Sequence, residues 1–278
     1  MTAPTLEGEG QEMQVRLDGR RLIITGGTQG LGATIAALAA ESGAGAIAIV
    51  GRNAEHGQAM ERKLAQSGCE ARFVQADLAD PDSPRRVVAA AVEAFGGVDG
   101  LVNAAADTNR AGIDDATLEI WEAQYAVNAR APFFLMQGVV ADLKRRGAPG
   151  SIVNILSINA HCGAPELAVY SGTKGALSVL TKNAANALLP DRIRVNGINM
   201  GWVATPAENV MQGEKLGKGP DWEKEAAAGL PLGRLLTMNE MAQLTVFLLS
   251  DMSGLMTGQL IDMDQAVVGA PPRAPKPQ

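Results

Sequence analysis

Tyr170 and Lys174 stand four positions apart in 169-VYSGTKG-175, in a chain with only two tyrosines. On a helix, residues at i and i+4 share a face. A lysine ammonium beside a phenol favours the phenolate and lowers the phenol's pKa from its reference of about 10. A tyrosine so placed is a usable proton carrier near neutral pH. Ser157 precedes Tyr170 by 13 positions and closes the run 153-VNILS-157, where a hydroxyl can hold a substrate oxygen. Asn128, in 125-YAVNARAPF-133, falls inside a helical stretch, where an amide is not a favoured choice. Each residue has a plain alternative. Y-x-x-x-K arises by chance, and serines at strand ends usually cap. The combination is what points to proton transfer.

These side chains need a scaffold. Short apolar runs recur at 22-LIIT, 46-AIAIV, 71-ARFVQAD, 100-GLVNAA, 151-SIVNIL and 193-IRVNGIN. They are continuous rather than alternating, as parallel strands covered on both faces require. Helical stretches lie between and after them, over 31–43, 54–67, 83–95, 117–145, 170–188 and 239–250. Strand–helix alternation of this kind predicts an α/β fold: a Rossmann-like, doubly wound parallel sheet in a three-layer αβα arrangement. No repeat or linker divides it. The expected organisation is a flexible lead over 1–17, one domain over 18–268 and a Pro-rich tail over 269–278. Residues 202–232, rich in Gly and Pro, read as a lid or as an ordinary long loop.

The first strand runs into 25-TGGTQGLG-32. Gly26, Gly30 and Gly32 allow a tight turn and let backbone N–H groups approach a pyrophosphate at a helix N-terminus, with Thr28, Gln29 and Leu31 in the same turn. The second strand ends 50-VGRN-53, with Arg52 and Asn53 where an acidic residue would hold a ribose 2′-hydroxyl. An arginine there pairs with a 2′-phosphate, which favours NADP over NAD. Gln29 adds no positive charge to that site. Asp77 and Leu78 follow the third strand; Asp77 either accepts from an adenine amine or caps a helix.

Taken in order, TGGTQGLG, DL, NAAA, Asn128, Ser157 and YSGTK resemble the short-chain dehydrogenase/reductase family in its compact form, over about Leu17 to Gly269. The resemblance implies hydride transfer between a nicotinamide cofactor and a carbonyl or alcohol. It implies that Tyr170 is the general acid/base and that Ser157 orients the substrate oxygen. Lys174 would hold the nicotinamide ribose and lower the Tyr170 pKa, and Asn128 would position a water in a proton relay. Asn103 would stand beside the cofactor. Val203 and Thr205, in 200-MGWVATP-206, would contact the carboxamide. Three departures concern the pocket and subunit contacts: Ala106 in 103-NAAA-106, Met200-Gly201 after the sixth strand, and Asp264-Gln265-Ala266 near the C-terminus.

The segment 158-INAHCGAPELAV-169 borders the substrate in that fold, so Asn159 and His161 are candidate contacts, although a lone loop histidine is more often solvated. Trp202, Glu208 and Trp222 lie on or beside the candidate lid; aromatic faces with hydrogen-bonding groups suit a sugar, polyol or other hydroxylated small molecule. The alternative is that the tryptophans merely pack the lid down. A reductase for bulky apolar ketones and a non-catalytic dinucleotide-binding regulator are the competing readings.

The chain has 278 residues, 46% of them hydrophobic and 19% charged, with a net charge of −6. That balance supports a substantial core and disfavours nucleic-acid or anionic-membrane partners. No apolar run reaches membrane-helix length, the N-terminus lacks a signal-peptide layout, and two cysteines supply neither a disulfide framework nor a metal site. A cytoplasmic setting is expected. Excess apolar residues on the 117–145 and 170–188 helices predict a homo-oligomer, a tetramer or dimer, through the four-helix contact common in the resembling family.

Overall fold

The computed structural model describes residues 14–271. Most of the predicted lead and tail lies outside that range. Residues 14–17 do not behave as a flexible lead: Leu17 is fully buried, and its N–H donates to the Ser42 carbonyl at 2.8 Å.

Seven parallel strands form one sheet in the order β3-β2-β1-β4-β5-β6-β7. They are β1 (Arg21–Thr25), β2 (Ala46–Gly51), β3 (Glu70–Gln75), β4 (Gly100–Asn103), β5 (Gly150–Ile155), β6 (Ile193–Met200) and β7 (Leu260–Met263). The chain starts at the centre, winds out to β3, then crosses back to β4 and on to β7. The reversal between β1 and β4 is the switch point at which open α/β sheets bind ligands, outside the carboxyl ends of their strands. β4 and β5 are buried along their whole length, as continuous apolar runs require. β3 differs from the expected buried strand. It is an edge strand and alternates between partly buried and exposed residues, with Phe73 pressed against Gly57.

The helices are α1 (Gly30–Glu41), α2 (Ala54–Gln66), α3 (Ser83–Phe95), α4 (Leu118–Tyr125), α5 (Ala131–Arg146), α6 (Ala168–Leu188), α7 (Pro206–Asn209), α8 (Trp222–Ala228) and α9 (Met238–Leu249). Two apolar clusters, one on each face of the sheet, give the three layers. The stretch expected as one helix over 117–145 is two helices joined by a π turn, Ala126–Arg130. Pro132 explains the break. It lacks an N–H, so the carbonyl four residues back, that of Asn128, cannot receive its ordinary helical bond. Among the described residues no helix is long and apolar enough to cross a membrane.

Candidate active site

The carboxyl ends of β1, β2, β4, β5 and β6 open onto a cleft of about 600 Å³. At one end lies the glycine turn. Gly26 has φ +67°, and a Cβ there would meet the Ala105 backbone at 3.0 Å. A Cβ on Gly32 would drive into the Gly26 carbonyl. The turn therefore packs backbone against backbone. Gln29 precedes α1 in extended conformation without a side-chain cap, and no acidic residue occupies the first helical turn. The first N–H groups of α1 thus face the cleft with no carboxylate competing for them, which fits a nicotinamide dinucleotide's pyrophosphate. Gly26, Thr28, Gln29, Gly30, Leu31, Gly32, Arg52, Asn53, Asp77, Leu78 and Thr205 all line this cleft. Arg52 is exposed and, among the described residues, pairs with no carboxylate; its carbonyl accepts from Gln75 Nε2 at 2.9 Å. Asp77 accepts from the Ala79 N–H at 2.9 Å, a local turn rather than a helix cap.

Tyr170 and Lys174 line the inner end, both on α6 and both buried. Lys174 Nζ donates to the Ile155 carbonyl at 2.8 Å and lies 5.6 Å from the centre of the Tyr170 ring. Burial pushes the Tyr170 phenol up to about 12; a hydrogen bond with Ser157 pulls it down, the Glu208 charge pushes it up and the Arg110 charge pulls it down. Burial pulls the Lys174 ammonium down to about 8. For the phenol, removal from water is the largest influence, and the Lys174 ammonium is directed at a backbone carbonyl. Ser157 is buried at the end of β5 and also accepts from the Asn159 N–H at 3.2 Å. Asn128 is fully buried in the π turn. Its amide accepts from the Asp107 N–H at 2.8 Å and donates to the Asp107 carbonyl at 2.8 Å and to Thr173 Oγ1 at 3.1 Å. Thr173 in turn donates to the Tyr170 carbonyl at 2.7 Å. Asn128 so ties the cleft loop to the base of α6.

Other expected residues stand back from the cleft. Asn103 is buried behind it, with Nδ2 donating to Asn154 Oδ1 at 2.8 Å and Oδ1 without a partner; Ala104, Ala105 and Ala106 form the wall. Val203 is buried in a bridge with Leu236, whereas Thr205 caps α7 by accepting from the Glu208 N–H at 3.1 Å. His161 is exposed and meets Asp262 of β7 at 2.9 Å, so the structure brings it to the sheet edge and not among the residues lining the cleft. Asn159, likewise, is not a cleft-lining residue. Trp202 stacks obliquely on Trp222 at 5.9 Å and donates to Glu208 Oε1 at 3.0 Å. Trp222 is buried and donates to Asn209, which is the packing alternative realised.

The sequence reading missed Arg110 and Gln212. Arg110 NH2 lies 3.6 Å from Glu208 Oε1, and Gln212 Nε2 donates to the same oxygen at 2.7 Å. Arg110 comes from the loop that carries the cleft residues Asp107, Thr108 and Asn109; Gln212 comes from a π turn, Val210–Lys215, that follows α7. An arginine close behind a strand's carboxyl end was the available signal.

The family model described as enoyl-(acyl carrier protein) reductase matches residues 26–266. The chain belongs to the short-chain dehydrogenase/reductase family. It is an oxidoreductase. An uncharacterized oxidoreductase of Thermotoga maritima is 36% identical, with 87% of this chain and 93% of the relative covered. A probable galactose dehydrogenase of Rhizobium meliloti is 35% identical, with 89% and 94% covered. The L-sorbose reductase of Gluconobacter frateurii, solved with NADPH and L-sorbose, superposes with a TM-score of 0.86 at 30% identity, covering 93% of this chain and 100% of that one. This short-chain dehydrogenase/reductase thus resembles, over most of its length, two proteins named for sugars.

Proposed function

We propose that the protein interconverts a secondary alcohol and a ketone, or a hemiacetal and a lactone, on a sugar, polyol or similarly hydroxylated small molecule, with NADP(H) preferred over NAD(H). The observation that carries this is the burial of Tyr170 and Lys174 together at the inner end of a cleft whose other end is an uncapped helix N-terminus, with Ser157 buried and hydrogen-bonded to the phenol. The glycine turn, Asp77, Leu78 and Thr205 hold the dinucleotide, with Asn103 and Val203 buried behind them. Arg52 and Asn53 take its adenosine end, where an exposed guanidinium and the absence of an acidic residue favour a 2′-phosphate. When bound, the nicotinamide supplies or accepts the hydride.

The protein's own part is proton transfer. A phenol near 12 is neutral at pH 7 and is ready to donate to a developing alkoxide. Ser157 holds the same oxygen. Lys174 keeps its ammonium fixed on the Ile155 carbonyl, where it steadies the ribose. Asn128 anchors the loop behind Lys174, with a main-chain carbonyl left without its usual helical donor. The relatives' names, a galactose dehydrogenase and an L-sorbose reductase, support a hydroxylated substrate. The exposed Phe133 and Phe134, 41% and 43% exposed, support self-association through α5, whereas Leu135, Val139, Leu177 and Leu188 belong to the chain's own core.

Tyr170→Phe tests the reading. Turnover of a polyol panel falls by about 10²- to 10⁴-fold, the range for loss of a positioned acid/base, while NADPH affinity measured by cofactor fluorescence stays within a few-fold. Retained turnover in this variant would remove the proposed proton carrier.

A further inference from the structure

Close to Tyr170 lies a polar cluster that the proton-transfer reading does not use. Glu208 is its centre. One of its oxygens, Oε1, takes the Trp202 indole N–H at 3.0 Å, the Gln212 amide at 2.7 Å and the Arg110 guanidinium at 3.6 Å. Two atoms of this cluster are buried without any hydrogen-bonding partner: Arg110 Nε, a donor, and Gln212 Oε1, an acceptor. Gln212 itself is only 3% exposed. Leaving a buried donor and a buried acceptor unmade is costly, and native proteins rarely tolerate it without a reason. The π turn that holds Gln212 is itself an irregularity of a kind that recurs at functional sites.

The cluster adjoins the cleft that Tyr170 lines. The charges of both Arg110 and Glu208 act on the Tyr170 phenol. The residues flanking them, Asp107, Thr108 and Asn109 on one side and Ala207, Val210 and Met211 on the other, line the cleft. The Arg110 and Glu208 side chains keep 22% and 17% of their surface exposed, so the cluster is open on one side and closed behind by Gln212.

We infer that Arg110, Glu208 and Gln212 form the subsite that holds the hydroxyl groups next to the reacting carbon, and that it selects a neutral polyhydroxylated substrate. This rests on the hydroxylated-substrate reading above. The chemistry excludes the obvious competitor. Arg110 already faces a carboxylate, and a substrate carboxylate reaching it would be pressed against Glu208 as a like charge. A hydroxyl is both donor and acceptor and serves both unmade atoms without adding charge. Each of the two atoms is two bonds from an atom directed at the same Glu208 oxygen. A carbinol with hydroxyls on neighbouring carbons supplies the matching groups. Lys215, held by Asn109 Oδ1 at 3.4 Å at the cleft wall, and Lys218, 5.9 Å from the centre of the Trp202 ring, are cations that an anionic substrate could use, so the test includes an anion.

The test measures kcat/KM for oxidation of sorbitol, xylitol, 2-pentanol and gluconate with NADP, in the wild type, Gln212→Met and Arg110→Gln. NADPH binding by fluorescence confirms that each variant is folded. The expected result is that the wild type prefers the polyols. In both variants the sorbitol to 2-pentanol ratio falls by about 10- to 100-fold, the size associated with leaving a buried partner unmade. A ratio that holds while both rates drop together overturns the inference and leaves the hydroxylated-substrate reading standing, because the cluster is then only structural. A wild type that prefers gluconate overturns it in favour of an anion subsite. A wild type that oxidises 2-pentanol but no polyol, or no alcohol at all, overturns the substrate reading and the inference with it.

Discussion

Lys174→Met separates what the buried ammonium does for catalysis from what it costs the fold. Burial lowers the Lys174 pKa from 10.5 to about 8. That change corresponds to about 3 kcal/mol against the charged form. The sign follows from proton counting. Below pH 8 both native and unfolded chains hold the proton, so the whole penalty is present. Between pH 8 and 10.5 the unfolded chain binds more protons than the native one, so wild-type stability from this group rises with pH. The penalty is about 3 kcal/mol at pH 6.5 and about 1 kcal/mol at pH 9.5. Methionine has a similar stem and no charge, so it removes this pH dependence.

Two effects oppose the gain in the variant. The Ile155 carbonyl loses a donor at 2.8 Å, which costs about 1–3 kcal/mol if nothing replaces it. That loss is independent of pH, and so is any gain in apolar packing. Tyr170 titrates in both proteins and cancels. The diagnostic quantity is therefore the change in the difference: wild type gains about 2 kcal/mol on Lys174→Met between pH 6.5 and 9.5. Equilibrium urea unfolding at fixed protein concentration and without added nucleotide measures it, since bound ligand or dissociation would add its own contribution. Turnover is lost at every pH. Adding NADPH stabilises wild type more than the variant, because Lys174 is proposed to hold the ribose. A stability difference that stays flat across this range would mean that the ammonium is not held at a cost, and the account of the buried pair would fail.

Arg52→Asp places an acidic residue where a ribose 2′-hydroxyl is usually held, so the ratio of NADPH to NADH affinity falls by about tenfold or more; an unchanged ratio means that Arg52 points elsewhere. Alcohol oxidation requires Tyr170 to accept a proton, and the fraction able to do so rises about tenfold per pH unit below a pKa near 12. The oxidation rate therefore climbs between pH 7 and 10 while carbonyl reduction stays nearly flat; a plateau in oxidation below pH 8 contradicts the high phenol pKa. Phe133→Glu combined with Phe134→Glu places two charges on an exposed aromatic pair whose rings meet edge-on at 5.3 Å. Light scattering then reports a smaller species than wild type, and an unchanged mass assigns the contact to another face.

The central strands were legible because their residues are buried on both faces, so composition alone marks them. β7 was not. It has four residues, Leu260–Met263, none of them fully buried, and it exists because β6 offers an open edge from Gly197 to Met200. That pairing is tertiary and leaves no local mark. The break within 117–145 was readable in principle, since Pro132 removes the donor that Asn128 needs. Apolar periodicity dominated that reading and continued straight through. At the site, Tyr170, Lys174 and Ser157 were legible because one helix and the strand before it set their spacing. Arg110 and Gln212 come from two segments about 100 residues apart and meet only at Glu208.

The same contrast explains how the two halves of the site differ in rigidity and role. The proposed proton-transfer half hangs on regular elements. Tyr170 and Lys174 ride one helix of 21 residues, and the ammonium is anchored to β5. The proposed substrate half hangs on a loop, a helix of four residues and a π turn. A reaction shared across a family needs the first to be fixed, because a phenol misplaced by an ångström loses much of its advantage. Substrate choice needs the second to vary, and irregular backbone accepts substitution without disturbing the sheet. The two halves still communicate electrostatically. Arg110 favours the Tyr170 phenolate and Glu208 opposes it, so any ligand group that pulls one of them away from the other also moves the proton carrier. In the proposed site, substrate identity and proton affinity are therefore coupled through one carboxylate.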